Sequence, residues 1–501
     1  MKQLRRTTFA LSTFLLFAVA PACSSGDRAD QRSATNQPPL PAATTSTANA
    51  DLVILGGMLL DMVADEPEPV PIKALVVRDG KIDRIIAADS DNAVPETAAT
   101  IDAGSGFILP GFIDAHVHFR PWLPDASIWQ RASSYYGITT LFDTGPCGDH
   151  CAETGQEANE WIRAYKDFMN SSAVPDGPTL YMTGRRIQDL DGAHPLGERL
   201  SSRNEIVAYL DSLVALGVDG VKVESTLPPD LRAIVVAEAG ARGLPVVGHS
   251  RDANESIAAG MKFIEHMWPI TSSIAASDPG EKFVSPKHDY LLDLDKASGL
   301  IESMVDNGIY VNPTMLGRYG YFADSMQAEA AVDFRSFEFG GLFSDMPATD
   351  KEGVRAWWAR AADWDAARLQ SHQDGLARVQ EFLKLFSEAG GKVLAATDSG
   401  EDKLVGIGLH REMKMLADAG ITPYRVLLGA TRWPAEMIYK DEAIGTIEEG
   451  KQADIAIFAA DPSADIDNTR DILYVIKRGT VLRRPTDCSV ILPPVSITCA
   501  Q

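Results

Sequence analysis

Between residues 110 and 440 the chain repeats one pattern, a short apolar run followed by a stretch with helical periodicity. The runs are FIDAHVHF, ITTLFDT, TLYMTG, DGVKVES, PVVGHS, KFIEHM, IYVNPT and KVLAATDS. Amphipathic stretches such as RNEIVAYLDSLVALG and PDLRAIVVAEAGARG separate most of them. Eight strand–helix units predict an α/β fold, a (β/α)8 TIM barrel. The seventh and eighth runs lie unusually far apart. The insert between them, about 318–385, carries Trp357, Trp358 and Trp364 on helix-compatible sequence. Two readings of the insert stand side by side: a lid over the barrel mouth, or a helical hairpin packed on the outer ring.

The flanks have a different rhythm. Residues 51–109 read as short strands broken at Gly or Asp-Gly, and residues 441–486 share that character. Together they predict one small β-sandwich built from both flanking segments, with 487–501 as a tail. Ahead of it, Lys2, Arg5 and Arg6 precede an apolar run from Phe9 to Ala20, and Ala20-Pro21-Ala22 offers small residues for cleavage. Residues 1–22 therefore read as a signal peptide. Cys23 sits in an imperfect lipobox, so a lipid anchor and a free exported form both stay open. Residues 23–50, rich in Ser, Thr, Pro and Ala, read as a disordered tether. The expected location is the periplasm or cell envelope, or outside the cell. In such a compartment the remaining cysteines favour disulfides, most simply Cys147–Cys151 and Cys488–Cys499. The formal net charge of −23 argues against nucleic acid or anionic lipid as a partner.

In a barrel of this kind the C-terminal strand ends build the active site. His116 and His118 are two apart on the first strand, so both face the same way. Lys222 lies on the fourth strand, and His249, His266 and Asp398 end the fifth, sixth and eighth. Four of these six are imidazoles, the commonest metal ligands. His194 follows the third strand at the same end and is a candidate substrate contact. Arg185, Arg186, Arg251 and Arg318 lie near strand ends and could clamp a carboxylate, while Tyr319, Tyr321 and the insert tryptophans could wall a pocket. His150, His288, His372 and His410 read as surface or packing residues.

LPGFIDAHVHF, GVDGVKVES, PVVGHSRDANESIAAGMKFIEH, AATDSG and GTIEEGKQADIAIF occur in this order. This set resembles the amidohydrolase superfamily over roughly residues 51–485, nearest to its imidazolonepropionase-like and Xaa-Pro dipeptidase branch. The resemblance implies two divalent metal ions, usually zinc. His116, His118 and Asp398 would hold one and His249 and His266 the other. Lys222, carboxylated by carbon dioxide, would bridge them. Burial beside cations favours the free amine that adds carbon dioxide, and the carbamate offsets repulsion between the ions. A plain salt bridge from Lys222 inside the barrel is the competing reading. The implied activity is cleavage of an amide, peptide-like or cyclic C–N bond of a small substrate by a metal-bridging hydroxide, with Asp398 moving the proton. A mononuclear deaminase or lactonase of the same fold, and a non-catalytic ligand-binding lipoprotein, are the alternatives. Deaminases commonly show H-x-x-E near the fifth strand, whereas His249 is followed here by Ser250, Arg251 and Asp252.

Overall fold

The computed structural model describes residues 50–97, 99–118, 126–145, 158–171, 177–190, 197–277, 286–338, 343, 346–400 and 405–483. The signal and tether segments, His150, His194 and all five cysteines lie outside the described residues. The first four strands are β1 (Leu52–Leu59), β2 (Val70–Arg78), β3 (Lys81–Ala87) and β4 (Thr100–Pro110). Next come β5 (Phe112–Val117), β6 (Ile138–Asp143), β7 (Thr179–Met182), β8 (Ile187–Gln188) and β9 (Glu198–Arg199). They are followed by β10 (Val221–Val223), β11 (Val246–Gly248), β12 (Phe263–Glu265), β13 (Tyr310–Asn312) and β14 (Lys392–Val393). Near the C-terminus lie β15 (Ile455–Phe458), β16 (Ile472–Lys477) and β17 (Thr480–Arg483).

Both flanks meet in one seven-stranded sheet of order β17-β16-β15-β4-β1-β2-β3. The expected sandwich is thus, in its hydrogen bonding, a single continuous mixed sheet. The cause is β4, which pairs parallel with β1 on one side and antiparallel with β15 on the other. Alternation sets its two faces. Leu52 and Ile54 join Leu75, Val77, Ile455 and Ile457 in one apolar cluster, while Val53 joins Ala74 and Val76 in another. The β2–β3 hairpin turns on Asp79 and Gly80, whose φ values of 51° and 72° suit the primed two-residue turn that matches strand twist.

All eight apolar runs of the middle region form strands, in a TIM-barrel-type α/β arrangement. They are β5, β6, β7, β10, β11, β12, β13 and β14, paired parallel in three arcs, β5-β6-β7, β10-β11 and β12-β13-β14. Backbone bonds join the arcs at two seams. Asp219 N donates to Met182 O at 2.8 Å between the third and fourth strands. Asp398 N donates to His116 O at 2.9 Å, and His118 N to Ser399 O at 2.7 Å, between the eighth and the first. At the junction of β11 and β12, His249 and His266 approach to 3.2 Å. The short β8 and β9, which the sequence pattern did not indicate, extend the β10 arc. Local signals set the helix ends. Ser202 caps Arg203–Leu216 by accepting from Glu205 N, and Gly217 ends it at φ 73°. Among the described residues no helix is long and apolar enough to cross a membrane.

The described part of the insert packs as core. Trp357 and Trp358 are buried and Trp364 is partly buried, so these rings do not wall a substrate pocket. Helices Gln327–Glu338 and Ala348–Trp358 are pinned to helix Ile407–Asp418 through Asp333. Its carboxylate accepts from Arg411 at 2.6 and 3.1 Å and from Trp358 Nε1 at 2.8 Å. These contacts favour the outer-ring reading over the lid. Removing one member of a buried ion pair strands the other. Asp333→Ala should therefore cost about 3–5 kcal/mol in denaturant unfolding. A change well below 1 kcal/mol would mean that the insert is not anchored through this residue.

Candidate metal centre

The strand ends bring His116, His118, Lys222, His249, His266 and Asp398 into one cluster. His116 Nε2 lies 3.2 Å from His118 Nε2, and Asp398 Oδ1 lies 3.5 and 3.2 Å from these two atoms. Across the floor, His249 Nε2 faces His266 Nε2 at 3.2 Å. Burial pushes His118 down to about 3 and also lowers His249 and His266, so these rings favour the neutral form that binds metal. Burial opposes a charge on Asp398 too, but Arg318 and the nearby histidines outweigh it and keep the carboxyl well below its ordinary range.

The far nitrogens of three rings are tied back. His249 Nδ1 donates to Glu224 Oε2 at 2.8 Å. His116 Nδ1 lies 3.2 Å from Glu265 Oε1. His266 Nδ1 lies 2.6 Å from Thr314 Oγ1, and that hydroxyl donates to Pro313 O at 2.8 Å. Thr314 must then accept from His266, which leaves Nε2 unprotonated, an acceptor that Arg318 NH2 reaches at 3.1 Å. Bare Nε2 atoms converging with a carboxylate make a donor set suited to a divalent ion. His116, His118 and Asp398 form one such group, and His116, Glu265 and His266 a second that shares a ligand with it. The residues present therefore fit a divalent ion on His116, His118 and Asp398, and the facing Nε2 atoms of His249 and His266 offer two donors for a second, His249 lying outside the group formed with Glu265.

Glu265 was not anticipated. It is buried, and Lys222 Nζ donates to its Oε2. This is the salt bridge that competes with the carbamate reading. Strict alternation puts adjacent residues on opposite faces, so choosing His266 as inward excluded Glu265. The backbone evades that rule, because His266 has a φ of 62° at the strand end. Thr314 and Asp398 lie at 49° and 51°, just after β13 and β14. Glu224 was also missed, although its spacing of two from Lys222 signalled a shared face. Two buried carboxyls brace this end of the barrel. Asp114, raised to about 7 by burial, accepts from Thr397 Oγ1 at 2.7 Å and ties β5 to the eighth strand. Glu412, raised to about 8 by burial, accepts from Met315 N and Leu316 N at 2.8 and 2.6 Å.

Glu412 thereby fixes the short helix Met315–Tyr319 that carries Arg318. The Arg318 NH2 group lies 3.1 Å from both Asp398 Oδ2 and His266 Nε2, and the guanidinium sits 5.1 Å over the Trp268 ring. Arg186 pairs with Glu224 at 2.8 Å. The other candidates stand as follows. Arg185 pairs with Glu198 at 3.0 Å, and Arg251 is exposed on the turn after β11. Tyr319 is buried and donates its hydroxyl to Asp289 at 2.8 Å, so it is a packing residue and not a substrate contact. Tyr321 packs its ring on Trp357 and Trp364. His288, His372 and His410 are packing residues, as read from sequence.

Residues 107–482 match the Amidohydrolase family. The chain belongs to that family. Among curated relatives of this amidohydrolase, an "Adenine deaminase 2" of Rhizobium meliloti (strain 1021) is 25% identical over 348 residues, 66% of this chain and 53% of that protein. A namesake from Agrobacterium fabrum (strain C58 / ATCC 33970) is 29% identical over 231 residues, 44% of this chain and 36% of that protein. The amidohydrolase thus spans about half, or less, of the length of these relatives. Its fold is that of a solved Xaa-Pro dipeptidase with bound methionine, at TM-score 0.56 and 20% identity over 86% of this chain and 99% of that one. A putative prolidase from Bifidobacterium longum gives 0.59 and 17% over 89% and 96%.

His116→Ala and His249→Ala should each lower the divalent metal retained after dialysis, read by elemental analysis. Unchanged metal content in both variants would place the ions elsewhere.

Proposed function

We propose that this chain is a metal-dependent hydrolase of a C–N bond in a small substrate, working at the mouth of a closed (β/α)8 barrel. The observation that carries the reading is the convergence of four imidazole Nε2 atoms with Asp398, beside Lys222 and Glu265, in a member of the amidohydrolase family. His116, His118 and Asp398 would hold one ion and His249 and His266 the other, zinc being the expected metal. Lys222 is the residue proposed to carry a bridging carbamate. Divalent ions held there supply Lewis acidity and an activated water at neutral pH.

The protein's own groups account for the proton. When water adds to the substrate carbon, one proton must leave it, and the departing nitrogen must gain one as the C–N bond breaks. Asp398 stands beside both ligand histidines and is proposed to accept the first proton and return it. Arg318 fixes the carboxylate through Oδ2 while Oδ1 faces the imidazoles. The Trp268 ring beneath Arg318 gives a flat apolar surface next to the reacting position.

Two substrate classes share this chemistry. The dipeptidase-like fold supports an acyl substrate such as a dipeptide or N-acyl amino acid. The curated relatives named adenine deaminase support a second reading, loss of ammonia from an aminopurine. The zinc-loaded protein should be offered Xaa-Pro dipeptides, N-acyl amino acids, lactones and adenine, with amine and ammonia release measured separately. Amine release that stops on chelation supports the first reading, and ammonia release from adenine supports the second. A protein that holds its metal and turns over none of them would favour the non-catalytic ligand-binding alternative.

Asp398→Asn separates proton transfer from coordination, because Asn is nearly isosteric but cannot accept and return a proton. It should keep the fold and much of the metal while turnover falls roughly 10²-fold or more, the usual scale of general acid–base catalysis. A substrate with a good leaving group should suffer less. Near-normal turnover with a poor leaving group would rule the shuttle out.

A further inference from the structure

Two side chains near the ligand cluster belong to neither ligand set, and they make one continuous chain of contacts. Arg186 NH1 donates to Glu224 Oε1 at 2.8 Å, and Glu224 Oε2 accepts from His249 Nδ1 at 2.8 Å. Glu224 is mostly buried, its side chain 11% exposed, and Arg186 is 16% exposed. The other end of the guanidinium reaches across the mouth. A Cβ built on Gly145 would lie 2.6 Å from Arg186 NH2 and 2.9 Å from His118 Nδ1. Gly145 is thus the residue that lets Arg186 lie against the loop after β6 while holding Glu224 after β10. Arg186 spans from the His249 side of the cluster to the His118 side.

The three tied-back histidines differ in what ties them. His266 rests on Thr314, a neutral hydroxyl whose own hydrogen is spent on Pro313. His116 faces Glu265, which Lys222 also occupies. Only His249 among them is held by a carboxylate that an arginine fixes in turn. A carboxylate on Nδ1 sets the tautomer that bares Nε2, sets the plane of the ring and raises its donor strength. An ion on His249 and His266 feels all three effects, whereas an ion on His116, His118 and Asp398 has no ligand hydrogen-bonded to Glu224.

We propose that Glu224 and Arg186 are positioning residues for the second metal ion. Glu224 turns His249 Nε2 into the site, and Arg186 fixes Glu224. Uptake of the ion on the His249/His266 side depends on this charge pair, and uptake on the His116/His118/Asp398 side does not. The inference rests on the two-ion reading above and assigns to Glu224 and Arg186 a role that neither ligand set contains.

The test is titration of the metal-stripped full chain with zinc against a chromophoric chelator, which resolves the stepwise affinities without using activity. Glu224→Gln should weaken one of the two steps by about 10–100-fold, the usual effect of losing such a partner, and leave the other unchanged. Arg186→Met should act on the same step with a smaller loss, and Arg186→Lys should restore part of it. Both steps unchanged in Glu224→Gln and Arg186→Met overturn the proposal. So does equal weakening of both steps with a lowered melting temperature, the signature of a general structural role. Should Glu224→Gln fail to fold, the two Arg186 variants, at a less buried position, decide the matter by the same readout. A parent chain that takes up a single ion refutes the two-ion reading itself, a result distinct from a parent that binds two ions and variants that bind them equally.

Discussion

The Nε2 lone pairs of His249 and His266, which face one another at 3.2 Å, repel, and much of the buried polar chemistry around the barrel mouth holds them in that arrangement. A proton between two rings could relieve the repulsion. Burial works against it, because it drives His118, His249 and His266 toward the neutral form. The partners behind the rings work against it too. Glu224, Glu265 and Thr314 occupy the Nδ1 positions, so the nitrogens left to face inward are the bare ones. A divalent cation relieves the same repulsion and gains a bond to each donor. The arrangement therefore favours metal over proton before any chemistry is considered.

Holding it there costs backbone strain, concentrated at three consecutive strand ends. His266, Thr314 and Asp398 each adopt a left-handed φ, at about 1–3 kcal/mol apiece for residues other than glycine. The strain persists because rigid neighbours over-determine it. Asp114 grips Thr397 on one side of Asp398, and Glu412 caps Met315 and Leu316 just after Thr314. These braces are carboxyls that burial raises to about 7 and 8, so they are themselves costly. Stability given up at Asp114 and Glu412 fixes the direction of Asp398 and Arg318.

This explains which parts of the site were legible in the sequence. The strands were, because eight apolar runs with helical stretches between them admit few arrangements. His116 and His118 were, because a spacing of two within one strand puts both on one face whatever happens elsewhere. Glu265 was hidden because it stands next to His266, and only a left-handed residue lets both reach the same space. The insert tryptophans misled for another reason. Large rings on a helix suit a pocket wall and a packed core equally, and only the partner decides; here Asp333 takes the Trp358 indole and Arg411 together. Strand pattern also gives faces but not ladders, and the parallel pairing of β1 with β4, which joins both flanks in one continuous sheet, leaves no trace in either strand alone.

Formal charge bears on the open question at Lys222. Each carboxylate in contact with the ligand histidines is matched by one cation: Lys222 on Glu265, Arg186 on Glu224 and Arg318 on Asp398. With neutral imidazoles this cluster is balanced as it stands. Two dications would add four positive charges to a buried region, and no carboxylate in the cluster is left over to offset them. Such an excess is expensive at low dielectric. Releasing Arg318 or Arg186 to solvent would remove one charge each but would unfix Asp398 or Glu224. Converting the Lys222 ammonium to a carbamate would change the charge of the cluster by two units in place, a change that includes leaving Glu265 without its cation. A hydroxide shared by the metals would supply one more. The ion pair seen between Lys222 and Glu265 and the proposed carbamate are therefore compatible: the same lysine balances Glu265 as a cation and would balance bound metals as an anion.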